Sequence, residues 1–245
     1  MDILSKSRIE YEDEHVLIVY KPAGVLSQGD HTGDASIVDL AQKLIGTKDP
    51  VYLIHRIDRP VSGLITIAKT KRSAELFSRL LKKGRIRKKY NAVVFGIPTQ
   101  TSGELKHYLL EREGEPTLAF DGVPKNDNPK KYKEAVLKYE VLKSSKFHSI
   151  KEFDNSFSLI SIELITGRKH QIRTQFAHIG CPIVGDSKYF SQADDVKKKM
   201  LDVSFLPRGE IALSAVYLGF PHPLKNGNIV EVKIPTPEHW VKFVG

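Results

Sequence analysis

The sequence predicts an α+β fold with a largely antiparallel sheet. Apolar segments of strand length outnumber amphipathic segments of helix length, and short turns separate many neighbouring strand segments. A doubly wound parallel sheet would need a helix between successive strands, and this order of segments does not supply one. With 245 residues, 40% of them hydrophobic and 27% charged, the chain can bury a sizeable core.

The first seventy residues predict a strand, a helix and a strand–turn–strand unit. HVLIVYK at residues 15–21 is a short apolar strand that ends in a Pro-Gly turn. The segment SIVDLAQKLIG is predicted to form a helix. Ser36 caps it, Asp39 stands three residues later, and Gly46 ends it. The next three segments are strand VYLIHRI, turn DRPVSG and strand LITIAK.

The rest of the chain alternates helices with strands around one irregular stretch. A helix is predicted over Ser73–Lys83, where Gly84 stops it, and the basic segment RIRKKY leads into strand NAVVFG. Residues 98–133 are rich in Pro, Gly, Asn and Lys and predict long surface loops. A further helix is predicted to begin at Arg168. The remaining predicted strands are AVLKYEVLK, SFSLISIELITG, IALSAVYLGF and NIVEVKIP.

The charge balance limits the choice of partner. With 38 basic and 29 acidic residues the net charge is +9, which attracts nucleic acid or an anionic membrane. A basic protein without a polyanionic partner is the alternative. The apolar runs are too short to span a bilayer, and the start has no apolar core of signal-peptide length.

Cysteine usage and missing motifs narrow the expected compartment and the expected kinds of binding site. Cys181 is the only cysteine, so we expect a reducing, cytoplasmic setting and a buried packing thiol rather than a nucleophile. The sequence contains no phosphate-binding G-x-x-x-x-G-K-[ST] loop, no G-x-G-x-x-G and no H-E-x-x-H. His170 and His178 are eight residues apart with no acidic residue nearby in sequence. We therefore expect neither a metal nor a cofactor.

The segment HRIDRPVSG places one carboxylate, Asp58, between Arg56 and Arg59 at the predicted end of a strand. A strand end holds a catalytic group rigidly and leaves it exposed. The simpler alternative is a turn aspartate with a local ion pair.

Two other clusters carry basic residues. At the predicted helix start, Arg168, Lys169, His170 and Arg173 suit a phosphate or carboxylate ligand, unless they form a solvated face. In RIRKKY, basic residues precede Tyr90, whose ring can stack on a base or pack in the core.

HRIDRPVSGL resembles the H-R-L-D-R-x-T-S-G-L signature of the RluA-type pseudouridine synthases. Four more segments are similar to that family's blocks in the same order, and together the five span roughly residues 9–235. They are VLIVYKPAG, RKKYNAVVFG, TGRKHQIRTQFAHIGCPIVGDSKY and ALSAVYLGFPHP. The resemblance implies an RNA pseudouridine synthase whose mainly antiparallel mixed sheet carries an RNA-binding cleft, as a single catalytic domain over residues 1–245. It also implies that the S4-like RNA-binding domain of many relatives is absent.

The resemblance assigns roles residue by residue. Asp58 matches the catalytic aspartate, Tyr90 the tyrosine that stacks on the target base, and Arg173 the basic residue that pairs with the aspartate. Arg56 matches the arginine that fills the gap left by the flipped base. The full set expected to bind RNA is Arg56, His55, Arg59, Arg87, Lys88, Lys89, Arg168, Lys169 and His170. Val61 and Ser214 depart from the family pattern, where threonine and histidine are common.

This reaction cleaves the N1–C1′ bond of uridine and joins C5 to C1′, so a carboxylate is needed at a developing cationic sugar. Asp58 either attacks C1′ or removes the 2′ proton. The expected substrate is transfer RNA or large-subunit ribosomal RNA, bound by a monomer. Two other functions stay open: a non-catalytic RNA-binding or assembly module on the same fold, and an RNA N-glycosylase or nuclease.

Overall fold

The computed structural model describes residues 8–147, 155–190 and 206–245, which form two compact units. The first unit runs from the start of the described chain to Lys89 and includes Arg208–Glu210 and Ser214–Thr236. The second unit begins at Tyr90 and contains the other described residues. The prediction of one catalytic domain stays a prediction, which a single cooperative unfolding transition would support.

Strands outnumber helices within the described ranges. The strands are β1 (Ile9–Glu12), β2 (Val16–Lys21), β3 (Tyr52–Leu53), β4 (Ser62–Ala68), β5 (Arg87–Phe95), β6 (Ser102–Leu110), β7 (Leu118–Phe120), β8 (Tyr132–Phe147), β9 (Asn155–Leu164), β10 (Leu213–Pro221) and β11 (Ile229–Lys233). The helices are α1 (Ile37–Ile45), α2 (Lys71–Lys82), α3 (Gln171–His178) and a short turn of helix, Val241–Val244.

The first unit is a mixed sheet in the order β1–β2–β4–β10, with β3 on β4 and β11 on β10. Its pairs are antiparallel except β4 with β10, which run parallel at Ser62 opposite Ser214. The apolar residues of both faces of β4 are buried, as the uninterrupted run LITIA predicts.

Gly63 makes the parallel contact of β4 with β10 possible. Its φ of 115° lies in the region that favours glycine, and an added Cβ would lie 2.3 Å from the carbonyl oxygen of Ala215. The residue therefore fixes the start of β4, directly after the segment that carries Asp58.

The second unit contains β5 from Tyr90 onward and follows the order β5–β9–β8–β6–β7. β6, β7, β8 and β9 pair antiparallel, with β6 matched to β8 from Ser102 opposite Glu140 to Leu110 opposite Tyr132. Phe176 of α3 packs edge-on against Tyr139 of β8, with ring centroids 5.7 Å apart. This contact attaches α3 to the sheet.

The α+β class and the mainly antiparallel sheet with flanking helices are confirmed. Helix α1 has the predicted capping box, in which the hydroxyl of Ser36 accepts from the backbone N–H of Asp39, and Gly46 ends it at φ 69°. Among the described residues, no helix has the length and apolar character needed to cross a membrane.

Four local predictions need correction. Residues 98–133 are not all loop: they contain β6 and β7, whose strand pattern is masked because β6 exposes several polar side chains. The strand predicted over VYLIHRI is only Tyr52–Leu53. Helix α2 begins at Lys71, two residues earlier than predicted, because Thr70 and Ser73 form its capping box. Helix α3 begins at Gln171 rather than Arg168.

Candidate active site

The loop between β3 and β4 holds Asp58 by fixing the backbone of both its neighbours. The Ser27 hydroxyl donates to the carbonyl of Ile57 at 2.5 Å and accepts from its N–H at 3.2 Å. The carbonyl of Arg59 accepts from the N–H of Gly24 at 2.8 Å. Asp58 itself is half-buried, so its carboxylate stands on a rigid loop without being enclosed in the core.

Lys21, the last residue of β2, is a second anchor of this loop. It is fully buried, and its ammonium group donates to the carbonyl oxygens of Pro22, Val25 and Arg59 at 3.0, 2.7 and 3.2 Å. Burial lowers the pKa of Lys21 to about 7, against the opposing pull of the Asp58 carboxylate. Lys21 thus ties the Pro-Gly turn after β2 to the Asp58 loop.

The two arginines that flank Asp58 differ in their surroundings. Arg56 is exposed, in a position where its side chain can meet a ligand. Arg59 is also exposed, but its guanidinium donates to the carbonyl of Gly24 at 3.0 Å and to the carboxylate of Asp34 at 2.6 Å. An RNA contact by Arg59 would compete with these bonds, whereas no bond of Arg56 to another described side chain would be displaced.

His55 lies in the core, which leaves its predicted RNA contact without support. Its side chain is 7% exposed, and its Nε2 accepts from the N–H of Thr66 at 3.3 Å. Burial, together with the positive charge of Lys88, lowers the pKa of His55 to about 3. The ring is therefore neutral at physiological pH and offers no charge to a phosphate.

The basic residues at the start of β5 are partly engaged within the first unit. Arg87 is exposed, donating to Glu231 at 2.6 Å and to the hydroxyl of Tyr217 at 2.8 Å. The ammonium group of Lys89 lies 5.8 Å from the centroid of the Tyr217 ring. Lys88 is half-buried, and burial lowers its pKa. Arg87 is therefore the exposed member of these three residues, and Glu231 pairs with its charge.

Tyr90 and Arg173 lie in the second unit. Tyr90 is 5% exposed within β5. Arg173, on the buried face of α3, is also 5% exposed and forms a two-pronged ion pair with Asp186. Its Nε and Nη2 lie 2.7 and 2.8 Å from the two carboxylate oxygens. The predicted pairing of Arg173 with Asp58 stays a prediction.

The residues before α3 do not form the predicted row of hydrogen-bond donors at the start of a helix. Arg168 and Lys169 precede the helix and are exposed, and Arg168 donates to the carbonyl of Glu134 at 3.0 Å. His170 is the N-cap residue, with φ 55° and ψ 22°, and its side chain makes no capping bond. A histidine in this left-handed conformation is uncommon and marks a position held by its surroundings.

One group of three described side chains could offer ligands to a metal ion: His107, Asp121 and His178, whose ligand atoms lie within 4.8 Å of one another. The amide nitrogen of Gln175 faces Nδ1 of His107 at 3.0 Å and also donates to two backbone carbonyls. Nδ1 thus faces an amide nitrogen, which cannot accept, and Nε2 lies 3.6 Å from the carboxylate of Asp121. The group fits a hydrogen-bonded His–Asp–His cluster better than a metal site. The acidic partner of His178 is remote in sequence, which spacing alone does not reveal.

Among the residues that sequence reasoning did not single out are Lys21, Asp186 and Tyr189, whose hydroxyl lies 2.6 Å from Nδ1 of His170. Each lies in a segment quoted for its family resemblance, yet each has a common structural explanation when taken alone. For Lys21 the available signal was a lysine at the end of an apolar strand, directly before the predicted turn. For Asp186 and Tyr189 the signal was GDSKY, a polar turn directly after the apolar PIV. Cys181 is buried, and burial raises the pKa of its thiol, in line with a packing role.

The chain is similar to known proteins over most of its length. A family model described as RNA pseudouridylate synthase matches residues 15–178. Ribosomal large subunit pseudouridine synthase C of Rickettsia bellii is 33% identical over 231 residues, covering 92% of this chain and 68% of the relative. An uncharacterized RNA pseudouridine synthase, YlyB of Bacillus subtilis, is 32% identical over 260 residues, covering 100% and 75%. The solved structure of human RNA pseudouridylate synthase domain containing 4 has a TM-score of 0.73 at 26% identity, covering 96% of this chain and 90% of that one.

Proposed function

The chain belongs to the RNA pseudouridylate synthase family, and we propose that it isomerises uridine to pseudouridine in structured RNA with Asp58 as the catalytic carboxylate. The reaction breaks the N1–C1′ bond, forms the C5–C1′ bond and moves the C5 proton to N1 or solvent. Product and substrate have the same composition, so the chemistry requires no oxidant, reductant or group donor.

The observation that carries the proposal is the way the Asp58 loop is built. The backbone of Ile57 and of Arg59 is held on either side of a half-buried carboxylate. Cleavage of the glycosidic bond develops positive charge on the ribose, and a fixed carboxylate stabilises such a centre. Attack on C1′ and removal of the 2′ proton would both use this same group.

The other assigned residues serve base flipping and RNA binding in this proposal. Extruding a uridine costs a few kcal/mol, which the Tyr90 ring and the exposed Arg56 side chain would offset by stacking and by filling the gap. An extruded base is read inside a protein pocket, so the burial of Tyr90 agrees with stacking as well as with a core role. We assign phosphate contacts to the exposed basic side chains of Arg87, Arg168 and Lys169 and to the half-buried Lys89.

Large-subunit ribosomal RNA is the substrate we propose first. The name of the Rickettsia relative supports it, and the net charge of +9 suits any structured RNA. Transfer RNA is the second candidate. We propose that the protein acts as a monomer in the cytoplasm.

The direct test is to incubate the purified chain with unmodified transcripts of large-subunit ribosomal RNA and of transfer RNA. Pseudouridine is then read as carbodiimide adducts that survive alkali, with the mass of the RNA unchanged. We expect modification at one or a few uridines of one transcript. Binding without modification of either RNA would favour a non-catalytic module, and release of free uracil or chain cleavage would indicate a glycosylase or nuclease.

A further inference from the structure

The turn that follows α3 in the chain sends two side chains to the guanidinium of Arg173. Asp186, 1% exposed, binds its Nε and Nη2 edge with both carboxylate oxygens. Tyr189 presents the face of its ring, whose centroid lies 5.0 Å from Cζ of Arg173. A cation over a tyrosine face is attracted by the ring quadrupole, and more strongly where water is excluded. The carboxylate of Asp186 thus holds the guanidinium edge, and the ring of Tyr189 contacts the group as a second partner.

The hydroxyl of Tyr189 makes two further bonds. It accepts from the backbone N–H of Thr117 at 3.0 Å and lies 2.6 Å from Nδ1 of His170. The hydroxyl thus joins the backbone of Thr117 to the imidazole of His170. Tyr189 therefore fixes the position of the His170 ring.

His170 has a backbone that needs such support. Its left-handed conformation at the N-cap of α3 costs free energy for a residue other than glycine, and its side chain makes no capping bond to the helix. The ring is bonded to Tyr189 instead. A tyrosine that only filled space would not place its hydroxyl on a backbone N–H and on a histidine in this conformation, and Tyr189 is only half-buried.

We infer that Tyr189 is a positioning residue of the RNA-modifying site: its ring orients Arg173, and its hydroxyl orients His170. The inference rests on the proposed function and on two roles that the family resemblance implies, in which Arg173 pairs with the catalytic aspartate and His170 binds RNA. It separates two effects within one side chain, because the ring acts on a residue assigned to the reaction and the hydroxyl on a residue assigned to substrate binding.

Tyr189→Phe and Tyr189→Leu test the two parts. The phenylalanine variant keeps the ring face, so we expect kcat within about twofold of wild type and KM for RNA raised at least threefold. The leucine variant loses the ring as well as the hydroxyl, so we expect kcat to fall at least tenfold in addition to the rise in KM. A raised KM with kcat retained in Tyr189→Phe is a result that a purely structural role would not produce.

Tyr132→Leu is the matched control. Tyr132 is a half-buried tyrosine of the same unit whose ring packs on Phe120 and whose hydroxyl bonds Asp127. We expect this variant to lower the melting temperature and to leave kcat and KM unchanged, with all assays run below the melting transition of each variant.

Three results would overturn the inference. The first is a folded Tyr189→Leu with kcat within twofold of wild type, and the second is a loss of kcat that Tyr132→Leu reproduces. If the leucine variant does not fold, an unchanged KM in Tyr189→Phe is the third. In each case the wild type still makes pseudouridine. A wild type that modifies no RNA overturns the proposed function itself, and the inference with it.

Discussion

Among the described residues, each unit has one lysine or arginine in its buried set, and the two are accommodated in opposite ways. In the first unit Lys21 donates to three backbone carbonyls, and its pKa falls to about 7. In the second unit Arg173 is bound by both oxygens of a buried carboxylate. A lysine can shed its proton when burial disfavours charge, whereas an arginine cannot and needs a counter-ion. Lys21 therefore serves mainly to tie segments together, and Arg173 serves to keep a charge in place.

The largest effect should come from removing the counter-ion of Arg173. Asp186→Asn leaves a buried guanidinium without its bonded carboxylate, and breaking a buried pair in this way costs about 3–5 kcal/mol. Urea unfolding measures it, with Asp127→Asn as the control because the exposed ion pair of Asp127 with Lys131 is worth at most about 1 kcal/mol. A loss at Asp186 no larger than that at Asp127 would show that the pair is not needed to hold Arg173.

A smaller effect is expected at Lys21. Lys21→Met keeps the unbranched stem and removes the donor, which leaves the bonded carbonyl groups without their ammonium partner, at a cost of about 1–3 kcal/mol. Hydrogen exchange at the amides of Gly24 and Val61 should accelerate, since both bond into the Asp58 loop. Unchanged exchange at these amides would mean that Lys21 does not tether the loop.

His55 provides a pH-dependent test of the first unit. Its folded pKa of about 3 lies below the ordinary value of 6.5, so below pH 6.5 the unfolded chain binds a proton that the folded chain does not. Stability is therefore lost as pH falls from 6.5 toward 3, by about 1.4 kcal/mol for each unit.

His55→Gln supplies the reference for that measurement, because its amide can still accept from Thr66. At pH 5.5 the wild type should have lost about 1.4 kcal/mol more than this variant, relative to pH 7.5. Parallel pH profiles for the two proteins would place His55 in contact with solvent and restore its candidacy as an RNA ligand.

The sequence predicted the first unit better than the second. Strands such as β2 and β4 are apolar runs bounded by turns, and α1 has Ser36, Asp39 and Gly46 at its ends, so local chemistry fixes them. In the second unit β6 exposes several polar side chains, and its strand character comes from pairing with β7 and β8, which follow later in the chain. The start of α3 was misplaced because His170 departs from ordinary capping.

The candidate site also contains residues that local sequence identifies and residues whose roles depend on distant contacts. Asp58 is recognisable from its neighbours in sequence, since HRIDRP is contiguous. The roles of Lys21, Asp186 and Tyr189 depend on contacts with residues that spacing does not identify, such as Thr117 on Tyr189. Burial also bears on one assignment from the sequence: His55 is buried and its pKa is lowered to about 3, and its RNA contact stays a prediction.

A single-turnover assay of Asp58→Asn on the unmodified transcript that the wild type modifies tests the central claim most directly. The substitution keeps the shape of the side chain and removes the charge that the sugar cation needs, while phosphate contacts, which dominate RNA affinity, are unchanged. We predict no detectable pseudouridine, an RNA dissociation constant within about threefold of wild type, and an unaltered melting temperature. A rate within about tenfold of wild type, equivalent to roughly 1.4 kcal/mol in the barrier, would contradict the assignment of Asp58 as the catalytic carboxylate.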